Sequence, residues 1–434
     1  MKINFLLIPT IYLFTLQLTT AQYEGYSSTS WEKQLKTEVL FFEHQNSKSF
    51  KNHLRELTVR PHVVGSKENK KVQEYISKVM QDAGLSVKNY PYDVYLPKEP
   101  GYSLIEIVTP KREVLNQKED VILNDPFSRD SLLWKGWNAF SGSGDVTAEV
   151  VYANYGRKED FEKLKELGIE VEGKIVLARY GGNFRGFKAK FAELNGAKGL
   201  LIFTDPKDSG FTKGLVYPEG PYYNNSTIQR GSLLTTDFTG DPLTPFEPAL
   251  PLDGKRKIKR LSPKDAQLHS IPVTPIAYGE AEKILEQMKG KPVPQDWQGG
   301  LAFTYRLDGG KDLIVRLKVD QKIDFVRATN VVGMIKGSDA PDEWIILGSH
   351  YDAWGFGATD PNSGTAMLLN LSETLGKLLK EGDRPKRSIL IAHWDAEEHG
   401  VIGSSEWVEQ MREELNAKAI VYMNFDGGVS GKNF

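Results

Sequence analysis

Residues 343–348 read EWIILG and run without a break into GSHYDAWGFGATDPNSG, residues 348–364. The first piece is an apolar run of strand length and the second a polar, Gly-rich loop. Thr365 to Leu379 then follows with helical spacing. The pattern repeats downstream: Ser388 to His393 (SILIAH) reads as a strand, Ser404 to Glu414 as a helix and Ala419 to Phe425 as a strand. Upstream, Arg327 to Ile335 (RATNVVGMI) is another apolar strand. Further back, Lys67 to Leu85 carries Val72, Tyr75, Ile76, Val79 and Met80 on one helical face, with Gly84 as its stop, and Ser86 to Leu96 alternates as a strand. Strands and helices in alternation, with apolar strands, imply an α/β fold: a mostly parallel, mixed sheet sandwiched by helices.

Between about residues 97 and 318 the texture changes to Gly, Pro and aromatic residues. Inside this stretch Gly173 to Arg179 (GKIVLAR) and Gly199 to Thr204 (GLLIFT) read as buried strands around a helix at 187–195. The flanking segments resemble each other, so the stretch is expected to be an inserted α/β module. The expected division is a leader at 1–21, one domain from 22–96 with 319–434, and an insert at 97–318. The leader reads MKINFLLIPTIYLFTLQLTTAQ over residues 1–22: one Lys, a short apolar core broken by Pro9 and Gln17, and a small residue at Ala21. This is a secretory pattern with cleavage expected after Ala21. A membrane span needs about 20 apolar residues, which no later stretch supplies. Export to a periplasm or the extracellular space is the expectation.

Composition narrows the chemistry. Lys+Arg number 55 and Asp+Glu 57, a formal net charge of −2, which argues against nucleic acid as a partner. With 40% hydrophobic and 26% charged residues the chain can fold into ordinary cores. It has no Cys, which excludes disulfides, thiolate metal sites and cysteine nucleophiles, and only seven His.

In open α/β sheets, function sits beyond the carboxyl ends of the strands. Three strand ends here carry acidic or imidazole groups. His350 closes the first, with Asp352 two residues on, close enough to hold the imidazole in one orientation and raise its basicity. Asp360 sits in the polar loop just before a helix. Asp395, Glu397, Glu398 and His399 follow the strand ending at His393, and Asp426 ends the next strand. Clustered carboxylates repel one another unless cations compensate. Nitrogen and oxygen ligands without sulfur fit zinc. An adjacent carboxylate pair offers one ligand and one group for proton transfer.

The segments GSHYDAWGFGATDPNSG, RPKRSILIAHWDAEEHGVIGSSEW and VYMNFD resemble the two-zinc exopeptidases typified by glutamate carboxypeptidase II, in the transferrin receptor superfamily. VYANYGRKEDF, GKIVLARYG, IQRG and GDPLTP resemble that family's inserted protease-associated domain. The resemblance implies two Zn²⁺, with His350 on one ion, Glu398 on the other, Asp360 bridging both and Asp426 as a terminal ligand. It implies Glu397 as the general base that takes a proton from a zinc-bridging water and later gives it to the leaving amine. Arg157 would grip the substrate's terminal carboxylate, a task suited to a guanidinium fork. The companion Asn of the family falls at Tyr222, which removes an amide donor and weakens selection for glutamate. A structural Ca²⁺ is implied at the side chains of Glu406 and Glu409 and the main-chain oxygens of Thr244 and Glu247; the two Glu are i, i+3 on one helix. One further His ligand of the family lies well beyond its last Asp. Here eight residues follow Asp426 and none is His. The family's C-terminal helical dimerisation domain has no counterpart either, so the expectation is a truncated chain with an incomplete zinc site and a homodimeric parent. The expected activity is removal of terminal residues from short peptides in the manner of a carboxypeptidase. The rivals are an aminopeptidase of the same clan and an inactive homologue of transferrin-receptor type; an inactive relative should have lost some of His350, Asp360, Glu398 and Asp426, and all four are present.

Overall fold

In the computed structural model, which describes residues 26–429, the strand that runs into His350 lies inside its sheet. Ala340–His350 pairs in parallel with Arg387–Trp394 on one side and with Ala419–Asn424 on the other. Asp324–Ile335 pairs antiparallel with Arg387–Trp394, and Ser86–Leu96 antiparallel with Asp324–Ile335. The five-stranded sheet is therefore evenly mixed rather than mostly parallel. The reason is local: the first two strands are the arms of one hairpin, and Leu96 faces Asp324 directly across it. Everything between those two residues is carried on the end of the hairpin.

Alternation along the strands sorts the core into two layers. Val331, Leu347 and Ile391 point to one face, where they meet Leu57, Ile76, Met80 and Leu369 from the helices Ser47–Leu57, Lys67–Asp82 and Asn362–Lys380. Val332, Ile346 and Leu390 point to the other, against Ile402 and Trp407 of the helix Ile402–Gln410 and against Trp137 and Ala249 from the hairpin's long excursion. The expected helix over 404–414 is two helices: it breaks at Met411 and resumes as Arg412–Lys418. The helices Ser28–His44 and Ser47–Leu57 come from a segment that the sequence reading left unassigned.

The excursion forms a second sheet of seven strands. Gly144–Tyr152, Ile175–Arg179, Gly199–Phe203 and Val273–Ile276 run parallel, and Ile314–Asp320 joins them antiparallel to Gly144–Tyr152. The last of these strands runs across residue 318. The leader expected at 1–21 lies outside the described residues. Among the described residues no helix is long and apolar enough to cross a membrane.

Candidate metal centre

His350 is the last residue of its strand and is buried. Its Nδ1 lies 3.1 Å from the carbonyl oxygen of Asp352. A carbonyl can only accept, so Nδ1 carries a hydrogen, and Nε2 is the nitrogen that a cation could take once it gives up its own proton. That Nε2 lies 3.2 Å from Asp360 Oδ1 and 3.0 Å from Asp426 Oδ1. Ligand atoms of these three residues all fall within 4.8 Å of one another, the one such group among the described residues. Glu397 Oε2 stands next to them, 3.7 Å from His350 Nε2.

Two close approaches make the convergence possible. Gly364, in the first turn of the helix Asn362–Lys380, has no side chain; a Cβ there would lie 1.6 Å from the carbonyl oxygen of Phe425, so only glycine lets the strand end bearing Asp426 come this near. In the intervening loop Gly357 adopts φ +63°, the left-handed region glycine favours, and the loop turns back over the side chain of Asn362.

Asp352 is the hub beneath. Its carboxylate accepts the main-chain N–H of Glu397 at 2.9 Å and of Glu398 at 3.2 Å, and lies 3.5 Å from His350 Nδ1. It touches no open space and acts by positioning. Burial opposes its charge, yet the imidazole beside it holds its pKa below the ordinary value. The imidazole responds in kind: burial disfavours the cation, but Asp352, Asp360 and Asp426 together push its pKa well above normal. Glu397 is raised to about 7 by burial, with Asp352, Asp426 and Asp360 adding to the effect. Glu398 is raised well above its ordinary value by burial and then by Asp352. Four carboxylates drawn toward one imidazole lack positive charge, and the donors are nitrogen and oxygen without sulfur. The residues fit a divalent cation such as zinc. The side chains of Asp360 and Asp426 remain 64% and 53% exposed, so the centre is open on their side.

Glu398 stands outside the 4.8 Å group. It lines a separate cavity of about 290 Å³ with Glu397, Arg185, Ser232 and Thr239. Arg185 was not singled out in the sequence. Its guanidinium lies over Tyr180 and Phe184 and packs on Gly231, and no carboxylate is within 4 Å of it among the described residues. Glu397 also lines a larger cavity of about 560 Å³ with His350, Asp426, Trp394 and Tyr422.

Other expected residues fall elsewhere. Arg157 precedes the helix Lys158–Glu166, with Nε 3.5 Å from Asp160 and the guanidinium 5.5 Å from the ring of Tyr155. It lines neither cavity that contains Glu397. Tyr222 lines a third cavity, with Asp130, Tyr223 and Phe356, and is not brought to the metal centre; Ser232 is the polar residue beside Glu397 and Glu398. His393 and His399 are buried and bonded to Thr365 and the Pro97 carbonyl, so neither reaches the centre.

The calcium expectation maps to the junction between the helix Ile402–Gln410 and the loop 241–249. Glu406 is fully buried and accepts the main-chain N–H groups of Asp241 and Ala249. Glu409 Oε2 is buried with no hydrogen-bond partner. The carbonyl of Thr244 accepts from the N–H of Glu247 at 3.1 Å, and Thr244 Oγ1 donates to Asp241. Burial raises Glu406 to about 8 and Glu409 to about 7. Asp241 is the buried acid here that the sequence reading missed.

Residues 330–434 match the model of peptidase family M28, and residues 146–234 match the PA domain. The chain is 39% identical over 397 residues to the glutamate carboxypeptidase 2 homolog of Caenorhabditis briggsae, a match covering 88% of this chain and 51% of that protein. It is 35% identical over 396 residues to aminopeptidase NAALADL1 of Rattus norvegicus, covering 87% and 52%. The chain spans about half the length of these curated relatives. In fold it is similar to an aminopeptidase from Aneurinibacillus sp. strain AM-1, with TM-score 0.52 at 20% identity over 89% of this chain and 72% of that one. The chain carries a peptidase family M28 domain and a PA domain.

Proposed function

We propose that this chain forms the catalytic centre of an exported zinc exopeptidase that removes residues from the C-terminus of short peptides. The observation that carries the reading is the convergence of His350 Nε2, Asp360 and Asp426 within 4.8 Å, with Glu397 alongside. His350, Asp360 and Asp426 would hold one zinc, and Asp360 with Glu398 would hold part of a second. Bound there, the ions would acidify a water and stabilise negative charge on the peptide carbonyl. Glu397, whose Oε2 stands 3.7 Å from His350 Nε2, would take a proton from the attacking water and return it to the leaving amine. Without ions burial raises its pKa to about 7; bound cations would lower it and favour the carboxylate that accepts the proton. Asp352 keeps both glutamates and the imidazole in place. A calcium ion at Glu406, Glu409, Thr244 and Glu247 would balance the buried acids at the junction with the PA domain. Export rests on the leader pattern at 1–21.

Action at a free C-terminus is favoured by Arg185, a cation without a carboxylate partner in the cavity that holds Glu397 and Glu398. A guanidinium fork suits a terminal carboxylate. A panel of N-acetylated, free and C-amidated dipeptides tests this. The enzyme should cleave N-acetylated dipeptides and spare amidated ones, and Arg185→Ala should raise KM by roughly 10-fold or more, the loss of a charge-assisted bond worth about 1.5–3 kcal/mol. Cleavage confined to free-amine peptides and indifferent to Arg185→Ala would favour an aminopeptidase instead.

A further inference from the structure

His62 belongs to the segment that leads into the helix Lys67–Asp82, nearly 300 residues before the loop it touches. It is fully buried. Its Nδ1 lies 2.8 Å from the carbonyl oxygen of Arg60, and its Nε2 lies 3.1 Å from Nδ2 of Asn362. The carbonyl can only accept, so Nδ1 carries the hydrogen. Nε2 then accepts from the Asn362 amide. Burial holds the imidazole below its ordinary pKa, which keeps it neutral and this tautomer intact.

The main chain of His62 grips the same loop. Its N–H donates to the carbonyl of Gly355 at 3.3 Å, and its own carbonyl accepts from Ala353 at 3.4 Å. One residue thus holds the loop at 353, 355 and 362, the segment between His350 and the helix that starts at Asn362. Asn362 passes the restraint on. Its N–H donates to Gly357 at 3.0 Å, and its amide nitrogen lies where a Cβ on Gly357 would come within 2.8 Å. Asp360 sits in that turn with its side chain largely in solvent, so where its carboxylate points depends on the backbone that carries it.

We propose that His62 is a positioning residue of the metal centre: through Nε2 and Asn362 it fixes the loop that presents Asp360 to the ion. The inference rests on Asp360 being a ligand. Groups that hold a ligand's geometry typically change metal affinity by about 10–100-fold when removed.

Two substitutions of similar size separate this role from packing. In His62→Gln the side-chain oxygen stands near the place of Nε2 and can still accept from Asn362. In His62→Asn the amide nitrogen stands near the place of Nδ1, keeps the bond to Arg60 and gives up the acceptor. Zinc affinity of the purified chain, measured by competition with a chromophoric chelator, should fall roughly 10-fold or more in His62→Asn and stay close to wild type in His62→Gln. Hydrogen exchange at 353–362 in EDTA should rise in the first variant and not in the second. Equal zinc affinities in wild type and both variants, or an equal loss in both, would overturn the inference while leaving the metal centre in place. A wild-type chain that binds no zinc would overturn the metal centre itself, and the role of His62 with it.

Discussion

Glu397 and Glu398 are neighbours in sequence, and one buried carboxylate, Asp352, holds both by their amide hydrogens. Their side chains nevertheless go to different places. Glu397 stands 3.7 Å from His350 Nε2 and lines the cavity that holds His350 and Asp426, while Glu398 lines the one that holds Arg185. With Glu398 proposed as a ligand of the second ion and Glu397 as the proton carrier, the two should fail differently. Glu397→Gln is expected to keep its zinc and lose turnover by roughly 10²–10⁴-fold, the usual contribution of a general base. Glu398→Gln should lose zinc as well as turnover. Metal content and kcat measured on the same preparations check this, and equal zinc retention in the two variants would show the roles to be misassigned. His350, Asp352, Glu397, Glu398 and Asp426 were legible because each closes or closely follows an apolar strand, and Asp360 because it lies in the polar loop after the first of them. His62, Arg185 and Asp241 were not legible. His62 and Asp241 acquire their meaning from partners far away in the chain, Asn362 and Glu406, and Arg185 from lining the same cavity as Glu397.

At the level of elements, the helix Ile402–Gln410 has two faces with different tasks. Ile402 and Trp407 pack on the five-stranded sheet, and Glu406 and Glu409 face the loop 241–249. Two acids raised by burial, one with an oxygen that has no hydrogen-bond partner, are costly to bury without a cation. Calcium should therefore raise the unfolding temperature of the wild-type chain, by an amount corresponding to about 2.7 kcal/mol at a hundredfold excess over Kd. Glu409→Gln should abolish most of that response. A wild-type melt unmoved by calcium, or a variant that responds as strongly, would contradict a calcium site at this junction. The strands of the five-stranded sheet were legible from their apolar runs and, in Ser86–Leu96, from alternation. The split of the last helix at Met411 was not, since Ser404 to Glu414 contains neither Gly nor Pro. Much of the seven-stranded sheet was also missed: its strands Tyr102–Thr109 and Ile314–Asp320 pair across more than 200 residues of chain.

Across the whole molecule, the pairing of Leu96 with Asp324 explains how one chain builds both bodies. The hairpin closes at that pair, so the excursion leaves and returns at one point, and its loops at 184–185 and 232–239 come to lie over Glu397 and Glu398. The two-body organisation was visible in the sequence as a change of texture. The antiparallel hairpin that joins the bodies was not, because its arms are too far apart in sequence to be read as one motif. On the far side of the site Ala419–Asn424 is an edge strand with Ile420, Tyr422 and Met423 exposed, and Asp426 follows it into solvent. All of this serves one claim, that the ends of the strands carrying His350 and Asp426 and the loop carrying Asp360 build a zinc site. Zinc titration of the metal-stripped chain, followed by calorimetry and compared with Asp360→Asn, tests it most directly. The account predicts saturable binding in the wild type and affinity weaker by more than about 100-fold in the variant, because a direct ligand should matter at least as much as the groups that support one. Equal zinc affinity in the two proteins, or no binding by the wild type, would contradict it.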